Sequence, residues 1–203
     1  MMIGVVDYGA GNLRSVETAL KHLGARYIVS SDPDRLLAAD RIIFPGVGEA
    51  RAAMEAVHRG GIDEALYSFA ASGKYLFGIC IGCQIFLEHS EERDTPCLGL
   101  VPGEVKRFPE NLSLKIPHMG WNEVLPDTEH PLFSNIPSGS SFYFVHSYYP
   151  IVAEKKYEIA STEYGVSFSS GISRDNIMAV QFHPEKSGVF GLRLLQNFLE
   201  MKD

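Results

Sequence analysis

Apolar residues recur along the chain in two rhythms, and the rhythm changes near residue 101. Ile3-Gly4-Val5-Val6 is a short apolar run that ends at Asp7 and the loop Tyr8-Gly9-Ala10-Gly11. Leu13, Val16, Ala19, Leu20 and Leu23 then return at helical spacing. This reads as strand, loop, helix, with Asn12 as N-cap and Gly24 as the stop. Residues 27–29 and 41–44 read as strands, and a helical pattern runs through Ala52, Met54, Ala56 and Val57. Residues 62–71 continue as helix, 75–79 as a buried strand and 81–88 as helix. Continuous apolar strands alternating with amphipathic helices predict an α/β fold. Its central sheet is mostly parallel with helices on both faces, because only a helical crossover returns the chain to start a parallel neighbour.

Beyond Val101 the pattern shortens. Residues 104–108, 121–124, 142–145 and 158–161 are strand candidates separated by Pro and Gly turns, predicting a strand-rich, partly antiparallel second half. Residues 177–182 form the last buried strand, and Val189, Leu192, Leu195, Phe198 and Leu199 mark a closing helix. No Pro/Gly/Ser-rich or highly charged stretch divides the 203 residues, and 45% of them are hydrophobic, so residues 1–203 are expected to form one domain with a sizeable core.

Charge narrows the partners. Eighteen basic against 25 acidic residues leave a net charge of −7 with Lys and Arg scattered, which argues against nucleic acid. The N-terminal apolar run is too short for a signal segment and no window approaches a membrane span, so a cytoplasmic protein is expected. Three cysteines, Cys80, Cys83 and Cys97, are too few for a disulfide scaffold and are expected as reduced thiols.

Cys80 carries the candidate chemistry. Gly78-Ile79-Cys80-Ile81-Gly82 joins a buried strand to a helix, the pattern of a nucleophile elbow. The turn is tight, so the residues two before and two after the nucleophile must be very small. The helix N-terminus favours a thiolate, and the Ile81 N–H is placed to receive an oxyanion. Two other readings stand beside this one: a small core hydrophobe, and a Cys80-Ile81-Gly82-Cys83 pair for thiol redox chemistry or half a zinc site. Zinc lacks a second C-x-x-C, and no metal is expected. A base decides among them. His183 follows the last buried strand in Gln181-Phe182-His183-Pro184-Glu185 and therefore shares a carboxyl-end crevice with Cys80. Pro184 keeps His183 extended, and Glu185 can accept the imidazole N–H and fix its tautomer. Cys80, His183 and Glu185 then form nucleophile, proton shuttle and orienter.

Gly78-Ile79-Cys80-Ile81-Gly82-Cys83-Gln84 together with His183-Pro184-Glu185 resembles the class I (triad) glutamine amidotransferases. Asp7-Tyr8-Gly9-Ala10-Gly11-Asn12, Pro117-His118-Met119-Gly120-Trp121-Asn122 and Tyr143-Phe144-Val145-His146-Ser147-Tyr148 narrow the resemblance. They point to glutaminase subunits that pass ammonia to a (β/α)8 cyclase partner in histidine biosynthesis. The resemblance implies hydrolysis of glutamine to glutamate and ammonia through a Cys80 thioester, a heterodimer with the cyclase, and no cofactor. It implies a second oxyanion donor at Val47 in Pro45-Gly46-Val47-Gly48. It implies substrate contacts at Gly48, Gln84, Glu92 and around His146, Ser147 and Tyr148, and a partner face at Asn12, Trp121 and Tyr143. It further implies acceleration by the liganded partner, with the Val47 loop as the coupled element. For an isolated Glu92 a solvated helix-end charge is the favoured reading, and the substrate contact rests on the resemblance alone. Cys83 departs from the family pattern, where Met is usual, and suggests oxidative inactivation through its neighbour Cys80. A thiol oxidoreductase and a non-enzymatic scaffold remain the alternatives from other classes; the first needs both Cys80 and Cys83, the second neither.

Overall fold

The computed structural model describes residues 1–9, 13–111 and 113–202. In chain order its first half comprises β1 (Ile3–Val6), α1 (Leu13–His22), β2 (Tyr27–Ser30), α2 (Pro33–Leu37), β3 (Arg41–Phe44), α3 (Ala50–Arg59), α4 (Ile62–Ala71), β4 (Leu76–Ile79) and α5 (Ile81–Ile85). The second half comprises β5 (His89–Ser90), β6 (Thr95–Pro96), β7 (Gly103–Arg107), β8 (His118–Pro126), β9 (Ser140–His146), β10 (Tyr148–Val152), β11 (Glu158–Glu163), β12 (Ser167–Arg174), β13 (Ile177–Val180) and α6 (Gly188–Glu200).

Nine strands make the central sheet in the order β2-β1-β3-β4-β13-β12-β11-β8-β9. The β2-to-β13 part is parallel, and from β13 outward every pair is antiparallel. A smaller sheet, β10-β7-β5-β6, lies beside it. The wholly buried strands β1, β3, β4 and β13 are the continuous apolar runs of the sequence. Such runs need cover on both faces. Buried residues of α1 and α6 pack in one apolar cluster, those of α2, α3, α4 and α5 in a second. The expected α/β architecture, with a partly antiparallel second half, is the one observed.

Three local expectations need correction. The helix after Cys80 spans five residues rather than 81–88. The chain leaves it after Phe86 so that Glu88 N can donate to Gly103 O and His89–Ser90 can run beside β7. Long-range pairing overrides helical propensity there. The last buried strand stops at Val180, and Gln181 donates its N–H to Ser170 O instead of continuing the parallel ladder. Strand β12, Ser-Phe-Ser-Ser-Gly-Ile-Ser-Arg, went unrecognised because Ser and Gly are weak strand formers. It lies between β11 and β13, with Thr162 Oγ1 donating to Ser170 Oγ inside. Gly24 does follow α1 in the left-handed region, whereas the Asn12 cap lies outside the described residues.

Candidate active site

Cys80 sits between β4 and α5 with φ 55° and ψ −104°, a strained backbone for a residue with a side chain. Close packing holds the strain. A Cβ on Gly82 would lie 2.3 Å from the Phe44 carbonyl oxygen, and one on Gly78 would lie 2.8 Å from the Gly82 carbonyl carbon. The expected need for very small residues on both sides of the nucleophile thus has a named steric cause. Cys80 N donates to Val180 O of β13, which ties the turn to the neighbouring strand. Cys80 and Cys83 diverge from there: their side chains belong to apolar clusters on opposite faces of the sheet. Burial drives the Cys83 thiol well above its usual range, the behaviour of a core thiol, and all three cysteines are free. Among the described residues no group of three His, Cys, Asp or Glu side chains could hold a metal ion.

His183 lies beyond β13, its side chain 1% exposed, and its Nδ1–H donates to Glu185 Oε1 at 2.8 Å, a carboxylate itself 3% exposed. Nε2 is buried without a hydrogen-bond partner. With Nδ1 engaged, Nε2 is the atom through which the ring meets the sulfur. Burial opposes the imidazolium, but the Cys80 charge and the bond to Glu185 outweigh it and raise His183 to about 10. His183 therefore holds its proton readily beside the sulfur.

A cavity of about 370 Å³ opens over these groups. Val47, Gly48, Cys80, Ile81, Gln84, Glu92, His146, Ser147, Tyr148 and His183 line it together with Pro117 and Val145. Residues from six separate stretches of sequence thus converge on one volume, and Glu185 stands behind His183. Gln84 Nε2 donates to Tyr148 O at 3.0 Å and to Gln181 Oε1 at 2.9 Å. Gln181 in turn directs its Nε2 at Cys80 Sγ, 3.7 Å away. Glu92 Oε2 accepts from Ala50 N at 2.7 Å, so this carboxylate caps α3 while facing the cavity. Burial raises its pKa, with the nearby Glu49 adding and the Ala50 N–H opposing. Glu92 is thus partly buried rather than solvated, and it caps the neighbouring helix α3 while lining the cavity.

The Pro45–Gly48 loop is wedged against the elbow. A Cβ on Gly46 would overlap Ile81 Cγ2 at 1.9 Å and the Tyr8 hydroxyl at 2.4 Å, so only glycine admits this approach. Tyr8 stacks on Phe44 and donates its hydroxyl to Val47 O at 3.3 Å. Outside the residues that line the cavity, Trp121, 59% exposed, meets Tyr143 edge-on at 6.2 Å. Tyr143 O accepts from His183 N, so the neighbour of Trp121 touches the backbone of His183. Asn12 lies outside the described residues. Sequence reasoning missed Tyr8, His118 and Gln181 as members of this neighbourhood. Gln181 carried a signal, a polar residue closing an apolar strand two positions before His183.

Comparison with known proteins agrees with this geometry. The family described as glutamine amidotransferase class-I matches residues 4–201. A Nitrosococcus oceani protein named imidazole glycerol phosphate synthase subunit HisH is 50% identical over 201 residues, covering 97% of this chain and 96% of the relative. Proteins of the same name from Dehalococcoides mccartyi and Methanosarcina mazei are 46% and 48% identical, each covering 98% of this chain. A chain of PurLQS from Thermotoga maritima superposes with a TM-score of 0.77 at 19% identity, covering 98% of this chain and 97% of its own. A solved glutamine amidotransferase gives 0.74 at 21% identity, covering 98% of this chain and 97% of its own. At these identities the two solved structures speak for the fold alone. Because the family match runs almost from end to end and relatives near half identity share nearly the whole length, the chain belongs to the class I glutamine amidotransferases.

Proposed function

We propose that this chain is the glutaminase subunit of an imidazole glycerol phosphate synthase, in which Cys80, His183 and Glu185 hydrolyse glutamine and a (β/α)8 cyclase partner receives the ammonia. The observation that carries the reading is the buried Cys80–His183–Glu185 constellation opening onto one cavity. Relatives at 46–50% identity, named as subunits of imidazole glycerol phosphate synthase, support the wider assignment. The family match over 4–201 and a central sheet that interleaves strands from both halves support one domain over 1–203.

The chemistry follows from the charges. The Cys80 thiolate attacks the side-chain carbonyl carbon of glutamine, and the tetrahedral oxyanion is received by the Ile81 N–H and, in our reading, by Val47 N–H. His183, protonated beside the thiolate, gives its Nε2 proton to the departing amine, so that neutral ammonia leaves and a glutamyl thioester remains. Acylation removes the sulfur's charge. Burial then weighs against imidazolium with only Glu185 opposing it, so His183 moves toward its neutral form and can take a proton from water. That water cleaves the thioester to glutamate and restores Cys80.

Gln84 commits both amide hydrogens to Tyr148 O and Gln181, which leaves its Oε1 to accept from the substrate. Glu92 is the candidate partner for the α-ammonium group, with Gly48 and the 146–148 backbone completing the pocket. Trp121, Tyr143 and Asn12 are proposed to face the cyclase, and the complex is proposed to work in the cytoplasm. No helix among the described residues is long and apolar enough to cross a membrane. Glutamate release from glutamine, with and without the cyclase and its nucleotide, tests the assignment. Activity that rises with the liganded partner and disappears in Cys80→Ala is expected. Turnover persisting in Cys80→Ala, or identical with and without partner, contradicts it.

A further inference from the structure

A line of polar contacts runs into the Cys80 cavity from strand β8, and nothing in the mechanism above uses it. His146 Nδ1 lies 2.8 Å from Tyr148 O. A carbonyl only accepts, so Nδ1 carries the proton and Nε2 of this neutral ring must accept. Its neighbour at 2.9 Å is His118 Nδ1, which must therefore donate. The remaining His118 nitrogen, Nε2, accepts from Asn122 Nδ2 at 3.2 Å. Both imidazole protons are thereby assigned, and both point toward Tyr148.

Both rings are held in place. His118 is stacked between Phe144 at 4.7 Å and Tyr164 at 3.9 Å, and His146 packs against Phe108 and Phe168. Burial pushes His118 down to about 4; burial, with His118 and His183 adding to it, pushes His146 down to about 3. Neither ring gains a second proton near neutral pH, so the direction of the chain does not reverse. At its end Tyr148 O receives two hydrogen bonds, from His146 Nδ1 and from Gln84 Nε2, and Gln84 continues through Gln181 to Cys80 Sγ.

We propose that His118 and His146 are positioning residues, a one-way pair of neutral imidazoles that fixes the Tyr148 carbonyl and with it the Gln84 side chain on the wall of the cavity. The inference rests on the glutaminase reading of that cavity. It assigns work to two buried histidines that never touch the reacting atoms. His118 also lies on the inner side of β8, whose outer side presents the exposed Met119, Trp121 and Leu125.

Two measurements test it. ¹⁵N-histidine NMR of the wild-type chain with its cyclase partner should find both rings as the Nδ1–H tautomer, without titration between about pH 5 and 8. An Nε2–H tautomer at His146 overturns the relay. In steady-state kinetics of the complex, His118→Phe should raise the KM for glutamine about three- to ten-fold, the worth of one hydrogen bond, with kcat moving by less than about two-fold. His118→Asn, whose amide nitrogen can stand where Nδ1 stands, should return KM to within about two-fold of wild type. Equal KM values in Phe and Asn variants, or a loss of folded protein with unchanged KM, overturn the positioning role. If the wild-type complex releases no glutamate, the glutaminase reading fails by itself. The tautomers, and the rate of Cys80 alkylation by iodoacetamide in His118→Phe against wild type, then judge the relay. An unchanged alkylation rate counts against it.

Discussion

Burial works against the His183 imidazolium, and the neighbouring Cys80 and Glu185 outweigh that cost. Removing the sulfur removes the first of those supports. Cys80→Ala should therefore lower the His183 titration midpoint from about 10, read by NMR of the imidazole. A midpoint unchanged in that variant would mean that the two side chains do not communicate. Gln181 tests a second contact at the same scale. Its Oε1 accepts from Gln84 and its Nε2 approaches Cys80 Sγ, so Gln181→Leu leaves a buried amide donor and the sulfur both short of a partner. Hydrogen bonds to charged groups are worth about 1.5–3 kcal/mol, so kcat/KM should fall by about ten-fold or more in glutamate-release assays. Wild-type values in that variant would remove Gln181 from the site.

At the scale of elements, the elbow is a steric lock between β4, α5 and β3. Gly82→Ala places a Cβ against the Phe44 carbonyl, backbone that cannot rotate away. Overpacking of this kind costs about 1–3 kcal/mol, and chemical denaturation should find at least that loss together with slower Cys80 alkylation. Unaltered stability would mean the lock has slack. The β8–β9 pair makes a different prediction. His118 and His146 are held at about 4 and about 3, below the ordinary 6.5, so the unfolded chain binds protons that the folded chain refuses. Stability should therefore fall as pH drops from about 6.5 toward 4, and denaturation at pH 7 and pH 5 measures it. The drop should shrink in His146→Asn. Equal stability at the two pH values would place these rings in water.

At the scale of the whole molecule, the proposed cyclase partner would act on Cys80 from the Trp121 face. The Tyr143 carbonyl accepts from His183 N, and the Trp121 ring packs edge-on to Tyr143 while remaining mostly exposed. An exposed aromatic beside other apolar side chains is the composition of a docking hot spot. Trp121→Ala should weaken binding of the cyclase by about thirty-fold or more, the effect of losing a hot spot near 2 kcal/mol, with thermal stability of the chain unchanged. Calorimetric titration showing wild-type affinity would move the interface elsewhere.

Much of this architecture was legible in one dimension. Apolar runs alternating with amphipathic helices through the first eighty-five residues specify their own elements, since local periodicity and parallel crossovers leave few alternatives. The Gly-x-Cys-x-Gly turn and His-Pro-Glu were readable for the same reason: each is a short-range steric or electrostatic requirement. Strand β12, the early end of α5 and the small sheet were not, because each exists only through partners far along the chain. The same holds at the site. The sequence by itself determined that Cys80 stands on a tight turn and that His183 and Glu185 lie two residues apart. Only tertiary structure decided that Cys83 faces the opposite core, that Glu92 serves a helix end as well as the cavity, and that the His118–His146 pair and Gln84, itself bonded to Gln181, converge on the Tyr148 carbonyl. A spacing rule reaches as far as one element, whereas burial and proton direction depend on every neighbour that folding brings within a few ångströms.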